Sequence, residues 1–346
     1  MASLKQIAEE LGISSALVSK VVSGRMGTSR TSDKTRNAIL NKAKELNYTP
    51  NSLAVALRAG RKATIGIFFH HMGIPGSDVS DRLLRGFAEA LEQSSYRMLL
   101  RFFTTDVEFI AACDTELKKK IDGLIIAGVF HPELQQKIRE LEREKVPVVL
   151  LSNSAPGRHV QSGITHVVVN YESQGYLATR HLIEQGCRQI ACFSAVESRT
   201  VGYVKAHDEA KLKLDRRLVI PTDGLLPLSG KKSLEELLAK KLPFDGIVCH
   251  SDAQANAAIN GLITRGIRVP EEIKVTGVDN SPLTEDCIVP ITSVTPELRA
   301  SGLKTVNLLL QRIAGKRVKS VLIEPSLVVR RSSGGRKSEG TDFVTY

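Results

Sequence analysis

From Ala63 to about Val329 the chain repeats one pattern, a short β-branched run followed by an amphipathic segment of helical length. Representative runs are ATIGIFF (63–69), DGLIIAGV (122–129) and DGIVCHS (245–251). Apolar runs that alternate with helices are typical of parallel strands covered by helices on both faces. About ten such strands exceed the usual size of one sheet. The pattern therefore predicts an α/β core of two doubly wound parallel-sheet lobes.

The net charge is concentrated at the amino-terminal end. Residues 1–62 carry eleven Lys/Arg and four Asp/Glu, a net +7 out of the formal +11 of the 346-residue chain. A basic segment on an almost balanced body indicates a polyanion-binding module joined to a separate globular part. No uninterrupted apolar run approaches the roughly 18 residues that a membrane span needs. The five cysteines form no CxxC pair, which is typical of reduced thiols in the cytoplasm.

The basic segment has the spacing of a helix-turn-helix. Residues 4–11 place apolar side chains at i, i+3, i+4 and i+7, and Gly12 follows where a helix would end. Ser14 or Ser15 can cap a second helix, and a third helix is expected over residues 32–47. A three-helix domain without sequence-specific function is the alternative, and the positive charge disfavours it.

Three segments together carry a specific signature: IAEELGISSALVSKVVSG, TRNAILNKAKELNYTPNSLAVALRAGR and IGIFF. In combination they resemble the amino-terminal region of the LacI/GalR (lactose-repressor) family of bacterial transcription regulators, and the resemblance extends to about Arg331. It implies a sequence-specific regulator, expected to be a repressor, that binds double-stranded DNA as a homodimer on a near-palindromic operator. It also implies a small-molecule effector, a sugar or sugar derivative, bound between two lobes that resemble periplasmic binding proteins. No cofactor, metal or enzymatic activity is expected, and the expected location is the cytoplasm, on the nucleoid when bound to operator.

In this family the second helix lies in the major groove, and its first residues contact base edges. The matching positions here are Ser15 and Ala16, with Lys20 one turn further along. A hydroxyl, a methyl and one flexible ammonium form few hydrogen bonds, so we expect sparse direct readout of bases. The other polar residues of the region are interpreted as phosphate contacts, which fix the register on DNA. They are Ser14, Ser19, Ser29, Arg30, Thr31, Lys34 and Arg36.

The segment after Pro50 resembles the hinge helix of the family. From Asn51 to Gly60 it is too short for a helix that is stable in isolation. We therefore expect it to order only when paired with its twin on DNA, with Asn51, Ala54 and Leu57 as DNA contacts. Leu57 matches the family's leucine wedge, an apolar side chain that enters the minor groove and kinks the site. The alternative is a linker helix that packs Leu57 on the core.

The resemblance also sets the expected domain boundaries. These are residues 1–49 for the helix-turn-helix domain, 50–62 for the hinge, 63–331 for the two-lobed core and 332–346 for a disordered tail rich in Ser, Gly and charge. The first lobe is expected at about 63–167 and 296–322, and the second at about 168–291 and 323–331, so the chain crosses between the lobes three times.

A dimer is expected because two helix-turn-helix units must be held about one DNA turn, roughly 34–36 Å, apart. We expect helix 79–94 of the first lobe to form the dimer surface. Its apolar face carries Leu83, Leu84, Phe87 and Leu91.

Ligands of doubly wound sheets bind beyond the carboxyl ends of the strands, which here means between the lobes. RTVGY (199–203) resembles the family's RxxGF motif, and HSD (250–252) resembles its ND motif. The resemblance assigns the effector contacts of these motifs to Arg199 and Asp252. A guanidinium and a carboxylate that face one cleft suit vicinal hydroxyls, which accept from the first and donate to the second. The alternative is an Arg199–Asp252 salt bridge that closes an unliganded cleft.

The first-lobe wall of the cleft departs from the family. Relatives have a D-x-x-N-P-F-F stretch after the first strand, whereas this chain has HHMGIPGSDVSD (70–81) and contains no Trp. We expect His70, His71 and Asp78 to hydrogen-bond the effector from this side. A solvated loop is the alternative. A metal site is disfavoured because adjacent histidines rarely converge on one ion.

Two other functions fit a two-lobed α/β chain, a cytoplasmic enzyme and a solute-binding protein. The sequence contains no GxGxxG after its first strand, and no GxxxxGK[ST], GxSxG or HExxH. Its start, MASLKQ, leads into a polar amphipathic segment instead of an apolar signal core, which disfavours secretion. Neither alternative needs a basic helix-turn-helix, so the sequence favours the regulator.

Overall fold

The computed structural model describes residues 3–22, 31–48, 60–70, 78–92, 94–113, 117–128, 132–152 and 164–335. The chain divides into two compact units, Met1–Thr64 with Ser95–Arg97 and Ile65–Ser94 with Met98–Tyr346. Within the described ranges, no helix combines the length and hydropathy that crossing a membrane requires.

The first unit contains the predicted helix-turn-helix. Its helices are α1 (Leu4–Leu11), α2 (Ser15–Val22) and α3 (Asp33–Glu45). Helix α1 ends at Gly12, which adopts a left-handed conformation with φ 62° that a glycine tolerates without steric cost. Of the two candidate caps for α2 it is Ser14 that acts, because its Oγ accepts from the backbone N–H of Leu17 at 3.3 Å. Ile7, Val18 and Ile39, one from each helix, are completely buried together.

The second unit contains two six-stranded sheets, as predicted. The first sheet consists of β1 (Thr64–His70), β2 (Arg97–Phe103), β3 (Gly123–Gly128), β4 (Val148–Ser152), β5 (Thr165–Val169) and β11 (Val321–Ile323), in the order β11-β5-β4-β3-β1-β2. The second consists of β6 (Ile190–Ser194), β7 (Val219–Pro221), β8 (Gly246–Cys249), β9 (Lys274–Val278), β10 (Thr292–Thr295) and β12 (Ser326–Val328), in the order β12-β10-β9-β8-β6-β7. Neighbours β6 to β10 run parallel, and β12 joins β10 antiparallel.

Helices cover these sheets and pack closely on one another. They are α4 (Val79–Glu92), α5 (Asp106–Ala112), α6 (Pro132–Arg143), α7 (Tyr171–Glu184), α8 (Glu197–Glu209), α9 (Pro227–Ala239), α10 (Asp252–Ile263), α11 (Leu283–Asp286) and α12 (Leu298–Ile313). In the first lobe α4 meets α12 so closely that a Cβ on Gly302 would lie 2.6 Å from the carbonyl oxygen of Leu83. In the second lobe α8 meets α7 at Gly202, where a Cβ would overlap the carbonyl oxygen of Glu172. Gly202 of the RTVGY segment therefore fixes the depth at which α8 sits.

The chain passes between the sheets at three places: after β5, after β10 and between β11 and β12. The first two passages follow the last paired residues of β5 and β10. Val169 pairs with Ile323 in the first sheet, and Val294 pairs with Val278 in the second. A strand stays with the sheet to which it hydrogen-bonds, so the chain leaves each sheet only beyond these pairs.

The sequence predicts a disordered tail from residue 332 onward. For residues 332–335 this prediction is wrong, because they are ordered. Ser332 and Ser333 are completely buried in a short 3-10 helix. The Oγ of Ser332 accepts from the backbone N–H of Thr292 at 2.9 Å, and the Oγ of Ser333 lies 2.7 Å from Nε2 of His181. These bonds stabilise the segment because each buried hydroxyl has a partner. Residues 336–346 lie outside the described residues.

The apolar face of α4 is part of the core, so its prediction as the dimer surface is wrong. Leu83 and Phe87 are completely buried. Three exposed apolar side chains of this lobe lie instead on β2, the edge strand of the first sheet. Met98, Leu100 and Phe102 are 41%, 38% and 59% exposed, and their spacing of two puts them on one face of the strand.

Candidate functional site

The candidate DNA interface is the exposed side of α2. Ser15, Ala16 and Lys20 are exposed, whereas Val18 faces the core of the three-helix unit. Ser19 is half-buried. The three residues that sequence analysis assigned to base contacts therefore share one accessible face.

Several predicted site residues cannot be placed on this surface or on the cleft wall. Arg30, Asn51, Ala54, Leu57 and His71 lie outside the described residues, as does the side chain of His70, whose backbone ends β1.

The candidate effector site lies at the carboxyl edge of the second sheet, where three strands end. Helix α8, which carries Arg199, follows β6, and His250 and Asp252 follow β8. Asp279 follows β9. This is the edge at which doubly wound sheets bind ligands, so both predicted second-lobe residues lie on the expected side of the sheet.

Arg199 contacts residues from several elements at this edge. It is almost completely buried, with 2% of the residue exposed. Its Nε donates to Oε1 of Gln174 at 2.8 Å, and Nη1 donates to the carbonyl oxygen of His250. Its Nη2 pairs with Oδ1 of Asp279 at 3.5 Å. The guanidinium lies 4.7 Å from the ring centroid of Tyr171, within the range of a cation–π interaction. A buried charge requires such partners, so these contacts fix the guanidinium in one position.

The carboxylate that pairs with Arg199 is Asp279, so the alternative of an Arg199–Asp252 salt bridge names the wrong partner. Asp252 is 1% exposed. Its Oδ2 accepts from the backbone N–H of Ser281 at 2.7 Å, and its Oδ1 accepts from the Oγ of Ser293 at 2.5 Å. Burial, followed by the nearby charge of Asp279, raises the pKa of Asp252 to about 7. Asp252 thus ties the loop after β9 to β10 from behind the cleft wall.

His250 precedes the Ser251-Asp252 pair that matches the family's ND motif, and it acts as a structural acceptor. Its Nδ1 accepts from the backbone N–H groups of Ala195 and Val196, both at 3.0 Å. Val196 is the N-cap of α8 and has no side-chain cap of its own, so the imidazole satisfies donors at this helix start. Burial and the charge of Arg199 lower the pKa of His250 well below its usual value, which keeps the ring neutral as this bonding requires.

The turn after β9 presents both a carboxylate and two carbonyl groups to the cleft. Asp279 and Asn280 have φ angles of 108° and 46°, a conformation that non-glycine residues rarely adopt. Burial raises the pKa of the Asp279 carboxyl, and the charges of Arg199 and Arg82 oppose that rise. Its side chain is 20% exposed, so it is more accessible than Arg199 or Asp252.

Arg82 reaches this turn from the first lobe. Its Nη2 donates to the carbonyl oxygen of Asp279 at 2.5 Å, and its Nη1 donates to that of Asn280 at 3.3 Å. Its Nη2 also bonds Oδ1 of Asp78 at 3.0 Å, so the predicted residue Asp78 lies in the cleft next to an arginine that sequence analysis missed. The pair is spaced i, i+4 at the start of a helix, which from sequence alone resembles an ordinary solvated ion pair.

The arrangement offers hydrogen-bond donors, acceptors and an aromatic face where the two lobes meet. A small polar molecule could accept from guanidinium groups, donate to Asp279 and pack on Tyr171. Within the described part of the chain, no three His, Cys, Asp or Glu side chains are arranged to hold a metal ion.

Two family models match the chain. The model described as "Bacterial regulatory proteins, lacI family" matches residues 3–51, and a periplasmic binding protein-like domain matches residues 179–333. Among solved structures, a complex of the transcriptional regulator CelR with cellobiose is 26% identical, with a TM-score of 0.69 over 96% of this chain and 100% of that one. A lac repressor dimer bound to operator and an anti-inducer is 23% identical, with a TM-score of 0.69 over 96% of this chain and 99% of that one, and shares the fold.

Relatives of known role match over nearly their full length. The transcriptional regulator DegA of Bacillus subtilis is 28% identical over 94% of this chain and 96% of its own. The transcriptional repressor PurR of Erwinia tasmaniensis is 30% identical over 96% of this chain and 97% of its own. These proteins are regulators and not enzymes. The chain therefore belongs to the lacI family of bacterial regulatory proteins and is a DNA-binding transcriptional regulator controlled by a small-molecule effector.

Proposed function

We propose that this regulator is a repressor whose operator affinity is set by a sugar or sugar derivative bound between its lobes. The observation that carries the proposal is the convergence of Arg199, Asp279 and Tyr171 at the point where Arg82 arrives from the other lobe. A ligand at this point touches both lobes and can therefore favour one lobe arrangement over another. The cellobiose complex of CelR supports a sugar as the effector class.

Asp279 and Arg199 form the proposed recognition pair of the second lobe. Vicinal hydroxyls can donate to the partly exposed carboxylate of Asp279 and accept from the guanidinium of Arg199. Asp252 is a positioning residue, because both of its oxygens already accept bonds that hold the recognition turn. From the first lobe, His70, His71 and Asp78 remain the proposed effector contacts.

The DNA contacts remain as the sequence predicts them. We assign base contacts to Ser15, Ala16 and Lys20, which share the exposed face of α2. Phosphate contacts are assigned to Ser14, Ser19 and Arg30, and hinge contacts in the minor groove to Asn51, Ala54 and Leu57. Such a regulator works in the cytoplasm and on the nucleoid when it occupies its operator.

A second copy of the chain is the proposed occupant of the β2 face formed by Met98, Leu100 and Phe102. Three exposed apolar side chains on one face of an edge strand form a surface that soluble proteins usually cover. Charged residues seldom occupy the centre of such an interface. The lac repressor dimer, which shares this fold, supports a dimeric assembly.

The effector proposal is tested by a thermal-shift screen of monosaccharides, disaccharides, sugar phosphates and uronic acids, followed by operator titration with and without the stabilising compound. We expect one compound class to raise the melting temperature and change operator affinity by about 5- to 150-fold. Asp279→Asn should abolish that change because it removes the carboxylate acceptor. The exposed control Arg265→Ala should respond like the wild type. A stabilising compound that leaves operator affinity unchanged contradicts the proposal.

The buried carboxyl of Asp252 should give the protein a stability that depends on pH. Because its pKa is raised to about 7, the folded state holds a proton between about pH 4 and pH 7 that the unfolded chain has lost. The free energy of unfolding should therefore fall as the pH rises through this window, by at most about 4 kcal/mol.

Urea denaturation at pH 5 and pH 8 measures this dependence. Asp252→Asn should flatten it because the amide can still accept from Ser281 and donate to Ser293, while the exposed control Asp81→Asn should leave it unchanged. Equal pH dependence in wild type and Asp252→Asn would show that this carboxyl is not the source.

Lys20→Ala should separate base contact from phosphate contact on α2. If the ammonium contacts a base, as proposed, the variant should lose about 1–3 kcal/mol of discrimination among operator sequences. If it contacts phosphate, binding should weaken equally on all sequences and the salt slope should fall by about one unit. Fluorescence anisotropy against an operator library at several salt concentrations measures both. The matched control is Lys5→Ala on α1, which removes a lysine paired with Glu9.

Leu100→Glu should weaken dimerisation because it puts a charge in the middle of the β2 face. Sedimentation at micromolar concentration should show a dimer for the wild type and a dimer dissociation constant at least about tenfold higher for the variant, equivalent to about 1.4 kcal/mol. The control Val201→Glu changes an equally exposed apolar residue on α8 and should leave the dimer intact. A wild-type monomer, or an unchanged dissociation constant in Leu100→Glu, contradicts this interface.

A further inference from the structure

We propose that Arg82 is a latch that holds the two lobes together. This inference rests on the proposed function in one respect, that lobe arrangement sets operator affinity. It goes further by assigning the arrangement of the lobes to one side chain. Arg82 belongs to α4 of the first lobe, and both carbonyl oxygens that it contacts belong to the turn after β9 of the second lobe.

The bonds of Arg82 suit a latch because they are directional and partly shielded from water. A guanidinium has five N–H donors in a fixed plane, so one side chain can bond two adjacent carbonyl oxygens and a carboxylate together. Arg82 uses Nη1 and Nη2 on Asn280 and Asp279, and Nη2 again on Asp78. Its side chain is 22% exposed and that of Asp78 is 23% exposed, so both lie largely out of solvent.

The turn after β9 has a backbone conformation that directs two carbonyl groups at Arg82. The positive φ angles of Asp279 and Asn280 belong to a conformation in which both carbonyl groups accept from the first lobe. Such a backbone persists only where surrounding bonds hold it. Here Ser281 N–H is bonded by the Asp252 carboxylate, and Asn280 N–H donates to Ser293 Oγ at 2.9 Å. The acceptors of the latch are therefore fixed by the second lobe itself.

Asp78 positions the arginine from the opposite side. Asp78 directly precedes α4, and its carboxylate lies 2.8 Å from Nε of Arg82, four residues further along the chain. The same i, i+4 pairing occurs between Arg85 and Asp81 on the same helix, where Nε lies 2.8 Å from the carboxylate. The Arg85 side chain is 62% exposed, against 22% for Arg82. The two pairs thus differ mainly in burial at the lobe junction, which makes Arg85 a matched control.

The arrangement of the lobes can be measured directly, without DNA or effector. Spin labels are placed at Arg139→Cys on α6 and Ala239→Cys on α9, both exposed positions in different lobes. The background carries Cys287→Ser, because Cys287 is half-buried while the other four cysteines are buried. Excess unlabelled protein keeps both labels of a detected pair in one protomer, and pulsed dipolar spectroscopy reports the distance distribution between the lobes.

The wild type should give a narrow distribution that matches the latched arrangement. Arg82→Ala should add a longer, broader population and lower the ratio of latched to open molecules by at least about tenfold. Arg82→Lys should be intermediate, because an ammonium cannot bond both carbonyls in a fixed plane. Arg85→Ala should match the wild type. An Arg82→Ala distribution identical to that of the wild type overturns the latch, whatever happens to the melting temperature.

A second measurement separates this inference from the proposed function. Operator affinity of Arg82→Ala without any sugar should differ from the wild-type value by at least about fivefold, because the lobe arrangement has changed. If the lobe distances respond to Arg82 but no compound of the sugar panel binds, the latch stands and the sugar proposal fails. If sugars bind and switch operator affinity while the lobe distances ignore Arg82, the proposed function stands and the latch fails.

Discussion

The buried guanidinium of Arg199 is the interaction on which the cleft depends. Removing a charge from water costs several kcal/mol unless partners replace the hydration shell, and a guanidinium needs several partners at once. Here they come from α7, from the end of β8 and from the end of β9. Satisfying one side chain therefore brings the ends of separate elements into one fixed arrangement. Gly202 allows α8 to approach α7 closely, and Arg199 lies on the same helix three residues earlier.

The turn after β9 extends this constraint to the other lobe. The side chain of Asp279 bonds Arg199 of its own lobe, while its carbonyl oxygen bonds Arg82 of the first. A ligand that binds the Asp279 carboxylate acts on the same residue whose carbonyl oxygen Arg82 contacts. Ligand binding and lobe arrangement therefore depend on one small structural element. Coupling of this kind needs no long chain of intermediate residues, because the proposed ligand contact and the contact between the lobes both lie at the same turn.

Sequence patterns located the elements of this fold far better than the pairing of charges within the site. Strand runs and helix spacing follow from periodicity and sterics, which are local properties, whereas Arg199 is identified by the resemblance of its segment to the family's RxxGF motif. The pairing of Arg199 with Asp279 depends on a turn with positive φ that no periodicity encodes. Arg82 has the spacing of a solvated helix pair, and only the tertiary fold buries it. Ser333 lies in a stretch whose polarity suggests disorder, because composition counts polar groups but not the partners they find.

Because α2 presents few groups that can hydrogen-bond bases, operator affinity depends more on the spacing of the two DNA-binding units in the dimer. If Ser15 and Ala16 contact bases as proposed, they offer one hydroxyl and one methyl, so little discrimination can come from their direct hydrogen bonding. Specificity must then rest more on phosphate register, on the deformability of the site and on the simultaneous fit of two half-sites. Each of these depends on the distance between the two DNA-binding units and not on the strength of any single contact. A lobe movement that changes this distance therefore weakens specific binding while it leaves non-specific attraction, which follows from charge alone, almost unchanged.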